Sequence, residues 1–473
     1  MERRLVGFAA SAFIVAAVLS SAWVTGQFTS HEVDRIAGHI SELAARDQPW
    51  TRLFRAAEAL TGVACLAGVA LLPRVRREWP GWLAFAVLGG LLITSGLFPL
   101  DCAVLSAPAC EHSALSWSHH IHTVVGVLSR VAVLAVMTLL AVTWQTWPSW
   151  LLAGLSLGVT GLALTAAATG YLAGLAERAQ VTLLAAWLVY VALRLLTTGP
   201  PSSAGPLTGA GASGGPDIHD GLAGPGGSGR PHVIEQGNGP AVLVSAGLAG
   251  AWFHWDRVAA ELARNHRVIR FDRPGLGLSP PSPTPLTLYG EAARLAALAP
   301  AHPEQVIVIA HSVAAWHAEA FARLHPMRLS KLVLVAPRPA GDGRRGTALG
   351  RPIGRWLPAL GGTWGAAAVA RLVGPAVHRL RTGLDDRDRV HGGGRVLAAA
   401  VGEWLACRGM AADLHAVRAD HPMPGVPVTV ISAGPKDPYA EWLAGELDAK
   451  LVRLPASGRH VELDDPGAIV DAV

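Results

Sequence analysis

Val306-Ile307-Val308-Ile309-Ala310-His311-Ser312-Val313-Ala314 joins an apolar β-type run to a helix-type run that continues from Ala315 to Arg323. The stretch predicts a strand that ends in a sharp corner and opens directly into a helix. A serine on such a corner has two readings. Its side chain can cap the helix by accepting from a first-turn amide. Alternatively, the turn lifts the hydroxyl clear of the sheet, where it can serve as a nucleophile with the next amide beside it. The usual motif at such a corner is Gly-x-Ser-x-Gly, and here alanine occupies both glycine positions, Ala310 and Ala314. The flanking sequence has to decide.

Upstream, Ala241-Val242-Leu243-Val244 runs into the small-residue turn Ser245-Ala246-Gly247-Leu248-Ala249-Gly250. Then Arg267-Val268-Ile269-Arg270-Phe271 ends in Asp272-Arg273-Pro274-Gly275-Leu276-Gly277. Downstream, Lys331 to Val335, Val426 to Ile431 and Lys450 to Leu454 supply three more short apolar runs. Short buried runs alternating with helical segments predict a parallel sheet covered on both faces. From about Arg230 to Val473 the chain resembles the α/β-hydrolase fold family. The resemblance is carried by the first strand's turn, the Asp272 turn, the serine corner and a histidine loop near the end. It implies a mostly parallel sheet with a helical lid, here about residues 338–424, inside a domain at 232–473.

The resemblance also implies a site. Acyl transfer by serine needs a base to take its proton and an acid to orient that base, and the family holds them in the order Ser, Asp or Glu, His. Ser312 is then the nucleophile. His460, in Ser457-Gly458-Arg459-His460-Val461-Glu462, matches the histidine loop, although Arg459 stands where glycine is common. Asp437, just past the run that ends at Ile431, is the expected acid; it could equally cap the helix that follows, with Glu441 and Asp413 as substitutes. Asp272 reads as a loop organiser. The amides of Val313 and Leu248 would form the oxyanion hole.

The first two hundred residues differ in kind. The chain is 51% hydrophobic with mean hydropathy +0.36, too apolar for a soluble protein of this length. Six runs approach membrane length: Leu5 to Thr25, Phe54 to Leu72, Trp82 to Leu100, His120 to Thr143, Trp150 to Tyr171 and Ala179 to Leu196. They predict an all-α transmembrane bundle at 1–197. The first run also has the outline of a signal peptide, but with five spans behind it an uncleaved helix is expected. Each run lacks charge at its centre or nearly so except the fourth, where Arg130 is either a packing partner or a functional group. Trp79, Trp82, Trp144, Trp147 and Trp150 at the run ends read as an interfacial belt. Arg3, Arg4, Arg74, Arg76, Arg77 and Arg194 fall on one side, which the positive-inside rule makes cytoplasmic. The protein is thus expected to be a multi-pass cell-membrane protein with its C-terminal domain in the cytoplasm. Cys102 and Cys110 fall in the loop after the third span, on the outer side, where a disulfide is chemically allowed.

This region is similar to a family of bacterial six-span proteins of uncharacterised function, the DUF998 group, over about residues 5–197. Gly38-His39-Ile40-Ser41-Glu42-Leu43-Ala44-Ala45, Gln48-Pro49-Trp50 and Phe98-Pro99-Leu100-Asp101-Cys102 with Cys110 carry the similarity. His31, His39, His112, His119, His120 and His122 invite a haem or metal reading, but most lie in loops or at span ends rather than facing one another within the spans. No metal or other cofactor is expected. Residues 198–231 are nearly all Gly, Pro, Ser and Ala and form a flexible tether.

A net charge of +5 owes much to arginines in the lid, Arg344, Arg345, Arg351, Arg355, Arg371, Arg379, Arg381, Arg387 and Arg389. These serve either a solvated surface or adhesion to anionic lipid. No aromatic-basic platform points to nucleic acid. The expectation is a membrane-anchored serine hydrolase acting on a small ester or lipid-like substrate, with the bilayer as partner. The alternative is an inactive hydrolase-fold binding module coupled to a membrane sensor or transporter.

Overall fold

Long apolar runs with few internal breaks form helices, because a helix satisfies every backbone group within its own segment, without water. A computed structural model describes residues 1–30, 33–34, 36–103, 105–106, 110, 115–169, 172–198, 230–282, 284–341 and 350–473. His31, Arg35, His112, Arg344, Arg345 and residues 199–229 of the tether lie outside the described residues. The chain divides into two compact units, Met1–Leu207 with Thr363–Gly365, and Thr208–Gly362 with Ala366–Val473.

In the first unit, α1 (Glu2–Ser20) and α2 (Trp23–Thr29) together make one candidate membrane span. Five others follow: α3 (Thr51–Leu71), α4 (Trp79–Leu97), α5 (Trp117–Trp144), α6 (Trp147–Thr169) and α7 (Ala173–Thr198). Their inner faces meet around Phe13, Trp82, Phe85, Met137, Leu140 and Trp187. A Cβ on Gly62 would stand 2.3 Å from the Gly89 carbonyl oxygen, so small residues let α3 and α4 approach at backbone distance. Outward faces carry exposed apolar side chains such as Val18, Leu128 and Leu164.

The aromatic belt needs correcting. Trp79, Trp147 and Trp150 are exposed, but Trp82 and Trp144 are buried. Glu78 accepts from the indole N–H of both, at 3.0 Å each, and Trp144 stacks on Trp187. A nearby carboxylate turned two tryptophans inward. Arg130 is a packing partner: its Nη2 lies 3.6 Å from Glu177 Oε1, and Glu177 also holds His39 Nδ1 at 2.8 Å. His122 Nδ1 lies 2.9 Å from the Phe98 carbonyl oxygen. Cys102 and Cys110 are joined by a disulfide with 5.9 Å between Cα atoms.

The second unit is built on seven strands: β1 (Val233–Gln236), β2 (Ala241–Ser245), β3 (Arg267–Phe271), β4 (Val306–His311), β5 (Leu329–Val335), β6 (Val428–Ala433) and β7 (Lys450–Leu454). They lie in the order β1-β3-β2-β4-β5-β6-β7, parallel except for β1. Side chains alternate between two apolar cores. Leu243, Val308, Leu332 and Val430 point to one, with α9 (Leu288–Leu298), α10 (Ala314–Leu324) and α14 (Pro438–Glu446). Val242, Ile309, Val333 and Ile431 point to the other, with α8 (Asp256–Leu262), α15 (Val461–Asp464) and α16 (Pro466–Val470). Between β5 and β6 come three lid helices, α11 (Gly350–Gly361), α12 (Trp364–Thr382) and α13 (Gly394–Asp420).

Candidate active site

The corner after β4 is strained. Ser312 has φ = 56°, where an L residue is disfavoured by about 1–2 kcal/mol. The surroundings hold it there: the Ser312 amide donates to the Val335 carbonyl (3.0 Å), and its own carbonyl accepts from Arg338 (3.3 Å). Its hydroxyl does not cap α10 and makes no hydrogen bond among the described residues. Ala310 and Ala314 are fully buried, so both methyls are accommodated. Gly247 is the glycine this corner does require, since a Cβ there would lie 2.6 Å from His311 Nδ1.

Ser312 opens on a cavity of about 850 Å³, also lined by His460 and Glu462. His460 Nδ1 lies 3.0 Å from Glu462 Oε1, which leaves the other imidazole nitrogen for the cavity. Asp437 is elsewhere employed: it caps α14, accepting from the Ala440 amide at 3.0 Å, and has no hydrogen bond to His460. The carboxylate that meets the His460 imidazole is Glu462, two residues beyond it. Of the substitutes, Glu441 pairs with Arg453 at 3.2 Å and Asp413 lines a different cavity. Burial alone would push the Glu462 carboxyl up, but the attraction of His311 and the hydrogen bond to His460 outweigh it and hold it below the usual value. His311 donates from Nε2 to the Arg459 carbonyl at 2.8 Å, which ties the histidine loop to the serine corner. The Arg459 backbone therefore supplies an anchor.

The amides of Val313 and Leu248 donate to no other group among the described residues. Behind the Leu248 turn, buried Arg273 holds the Ala246 and Gly247 carbonyls and pairs with Glu403 of α13 (Nε–Oε1 2.6 Å). Glu403 also accepts from the Ala249 amide at 2.9 Å. Asp272 organises its loop as expected from its place: it accepts from the Trp252 and Leu278 amides and holds His232 at 2.7 Å.

A second histidine group lines the cavity. His254, His378 and His391 offer ring nitrogens within 4.8 Å of one another. Their planes are nearly parallel, 14–21° apart, with centroids 4.0–6.0 Å apart. The near-parallel rings form a histidine stack whose ring nitrogens lie close enough to hold an ion. Burial and neighbouring imidazoles push His254 down to about 3 and His378 down to about 4, which keeps both neutral near pH 7. His311, His460 and Glu462 also lie close enough to hold an ion.

Sequence reasoning missed Glu462, the Arg273–Glu403 brace and the stack. The first had a signal, an acid two residues from the base; the others join segments distant in sequence.

With this geometry in view, comparison with known proteins gives the class. Residues 241–472 match the model of the alpha/beta hydrolase family, and residues 13–194 match that of a protein family of unknown function, DUF998. The C-terminal unit is thus an alpha/beta hydrolase domain, preceded by a helical region with six candidate membrane spans. Similar solved structures include a deformylase from Pseudomonas putida S16 (21% identity, 52% of this chain and 96% of that one, TM-score 0.40). An alpha/beta hydrolase fold protein from Burkholderia ambifaria (23%, 52% and 93%, 0.40) and an enol-lactonase from Burkholderia xenovorans LB400 (20%, 51% and 94%, 0.34) are others. No curated protein matches the chain in sequence.

Proposed function

We propose that the protein is a membrane-anchored serine hydrolase whose catalytic domain, about residues 232–473, faces the cytoplasm on a tether at 198–231. The observation that carries this reading is Ser312 at φ = 56° on a cavity shared with the His460–Glu462 pair. Ser312 Oγ attacks an acyl carbonyl while His460 takes its proton, and Glu462 keeps the imidazole in the right tautomer. The oxyanion accepts from the Leu248 and Val313 amides. Collapse expels the alcohol, which leaves with the proton from His460. Water, activated by the same imidazole, then attacks the acyl-enzyme and releases the acid with Ser312 restored. A tethered enzyme meets membrane-borne esters first, which favours a lipid-like amphiphile. Arginine placement across the spans supports the cytoplasmic side.

A charged, membrane-impermeant fluorophosphonate tests both statements together. It is expected to label inverted vesicles and not right-side-out ones, and to label neither Ser312→Ala nor His460→Ala. Labelling of right-side-out vesicles alone would reverse the topology. Unlabelled but folded wild type would favour the inactive binding module.

A further inference from the structure

The cavity before Ser312 is unevenly charged. Arg338, Arg381 and Arg459 line it, and among the described residues its only lining carboxylate is Glu462, already engaged by His460 and His311. Among the described residues, none of these three guanidiniums has an ion pair or a side-chain hydrogen bond. Arg381 and Arg459 are exposed at the rim, where that is ordinary; Arg338 is half-buried. Other arginines withdrawn from water in this unit have an acid or a backbone carbonyl: Arg270 with Asp256, Arg273 with Glu403, Arg323 and Arg418 with Glu319, Arg328 with the Ala296 and Ala299 carbonyls, and Arg395 with that of Gly277. The exception stands beside the nucleophile. The Arg338 backbone is pinned on both sides, its amide donating to the Ser312 carbonyl and its carbonyl accepting from Trp316 Nε1 at 2.7 Å. A partly desolvated guanidinium with no acid is incomplete, and its fork matches the oxygens of a carboxylate or phosphate. A cleft lined by one sign of charge also concentrates the opposite sign. The remaining wall is apolar: Leu248, Val373, Val377, Val396 and Leu397.

We infer that the Ser312 cavity selects acyl substrates that carry an oxyanionic group, a carboxylate or a phosphate, received by Arg338 with Arg381 and Arg459 at the mouth. This rests on the hydrolase reading above and adds the substrate class to it. Apolar acyl carbons lie against the valines and leucines, and the anion completes the charge that the protein leaves open.

The test uses the full-length protein in nanodiscs and two matched substrate pairs. One pair is 4-nitrophenyl pentanoate and the mono-4-nitrophenyl ester of glutaric acid. The other is a monoacylglycerol and the corresponding monoacylglycerol phosphate. In at least one pair the anionic member is expected to have a kcat/KM about 10–100-fold higher, as for a hydrogen bond to a charged group. Most of the difference should appear in KM and shrink with added salt. Arg338→Gln should lower that preference about tenfold, and Arg338→Lys should keep part of it. The pair that responds tells carboxylate from phosphate. Because each preference is a ratio within one sample, partial misfolding of a variant cancels. Turnover with no anionic preference in either pair, or a preference unchanged in Arg338→Gln, would overturn the inference and leave the hydrolase reading intact. No turnover of all four compounds, together with an unlabelled Ser312, would instead remove the hydrolase reading and this inference with it.

Discussion

Glu177 in the helical unit and Glu462 in the hydrolase unit hold nearly the same set of partners. Each carboxylate meets a histidine Nδ1, His39 at 2.8 Å and His460 at 3.0 Å, and each has a second basic group at 3.6 Å, Arg130 or His311. The surroundings differ. Glu177 also accepts from the Ile40 amide at 2.8 Å, and the neighbouring Arg178 holds the Gly38 carbonyl, so that group fastens a loop to helix ends. Glu462 orients an imidazole that lines a cavity containing a strained serine. The acid–histidine pair is therefore not what marks a site. What the far nitrogen faces decides its use.

The sharpest break in this comparison comes from Glu462. Glu462→Gln is expected to fold and to lower kcat by about 10⁴-fold, as loss of the orienting acid does in serine triads, measured on a short-chain 4-nitrophenyl ester. Asp437→Ala should instead lose a helix cap, about 1 kcal/mol in thermal unfolding, with kcat little changed. A large loss in Asp437→Ala with an active Glu462→Gln would return the acid to Asp437.

Glu177→Ala tests the other half. It strands Arg130 without its acid and should cost roughly 3 kcal/mol, read as a lower unfolding midpoint of the helical unit, while fluorophosphonate labelling of Ser312 survives in the folded fraction. Loss of labelling at unchanged stability would mean that Glu177 works for the site.

The smallest effect concerns the histidine stack. The folded values of His254 and His378, about 3 and about 4, lie below the ordinary value of 6.5, so between these limits the unfolded chain binds more protons than the folded one. Stability is then fully present above about pH 6.5 and falls as pH drops toward 4, by at most roughly 1.4 kcal/mol per pH unit from His254. Replacing His254 with Phe should flatten that slope in unfolding measured from pH 7 to 4.5. An unchanged slope would mean that the stack does not stay neutral.

The fold was legible because apolar runs are local: Val306 to Ile309 and Val242 to Val244 are buried strands, and each predicted span overlaps an apolar helix. The serine corner was legible for the same reason, since strand, turn and helix follow one another. The carboxylate beside His460 was not, because two local rules competed at Asp437. Its position after β6 suited a triad, but the helix beginning at Pro438 needed its first amides satisfied, and the cap prevailed. Trp82 and Trp144 were misplaced because Glu78, which draws both indoles inward, lies four residues from one and sixty-six from the other. His254, His378 and His391 come from a core turn, a lid helix and a lid loop, and no period in the sequence links them.

Glu403 belongs to the lid insert by sequence, yet its carboxylate closes the charge of Arg273 and holds the Ala249 amide in the Leu248 turn. The insert is consequently not an interchangeable module. A lid exchanged for a foreign one, with Ser312, His460 and Glu462 all retained, would leave a guanidinium sealed in the interior without its counter-ion. The floor of the site would loosen although the serine, the histidine and its carboxylate were unchanged, so a lid exchange in this chain has to carry an acid at position 403 along with the new roof.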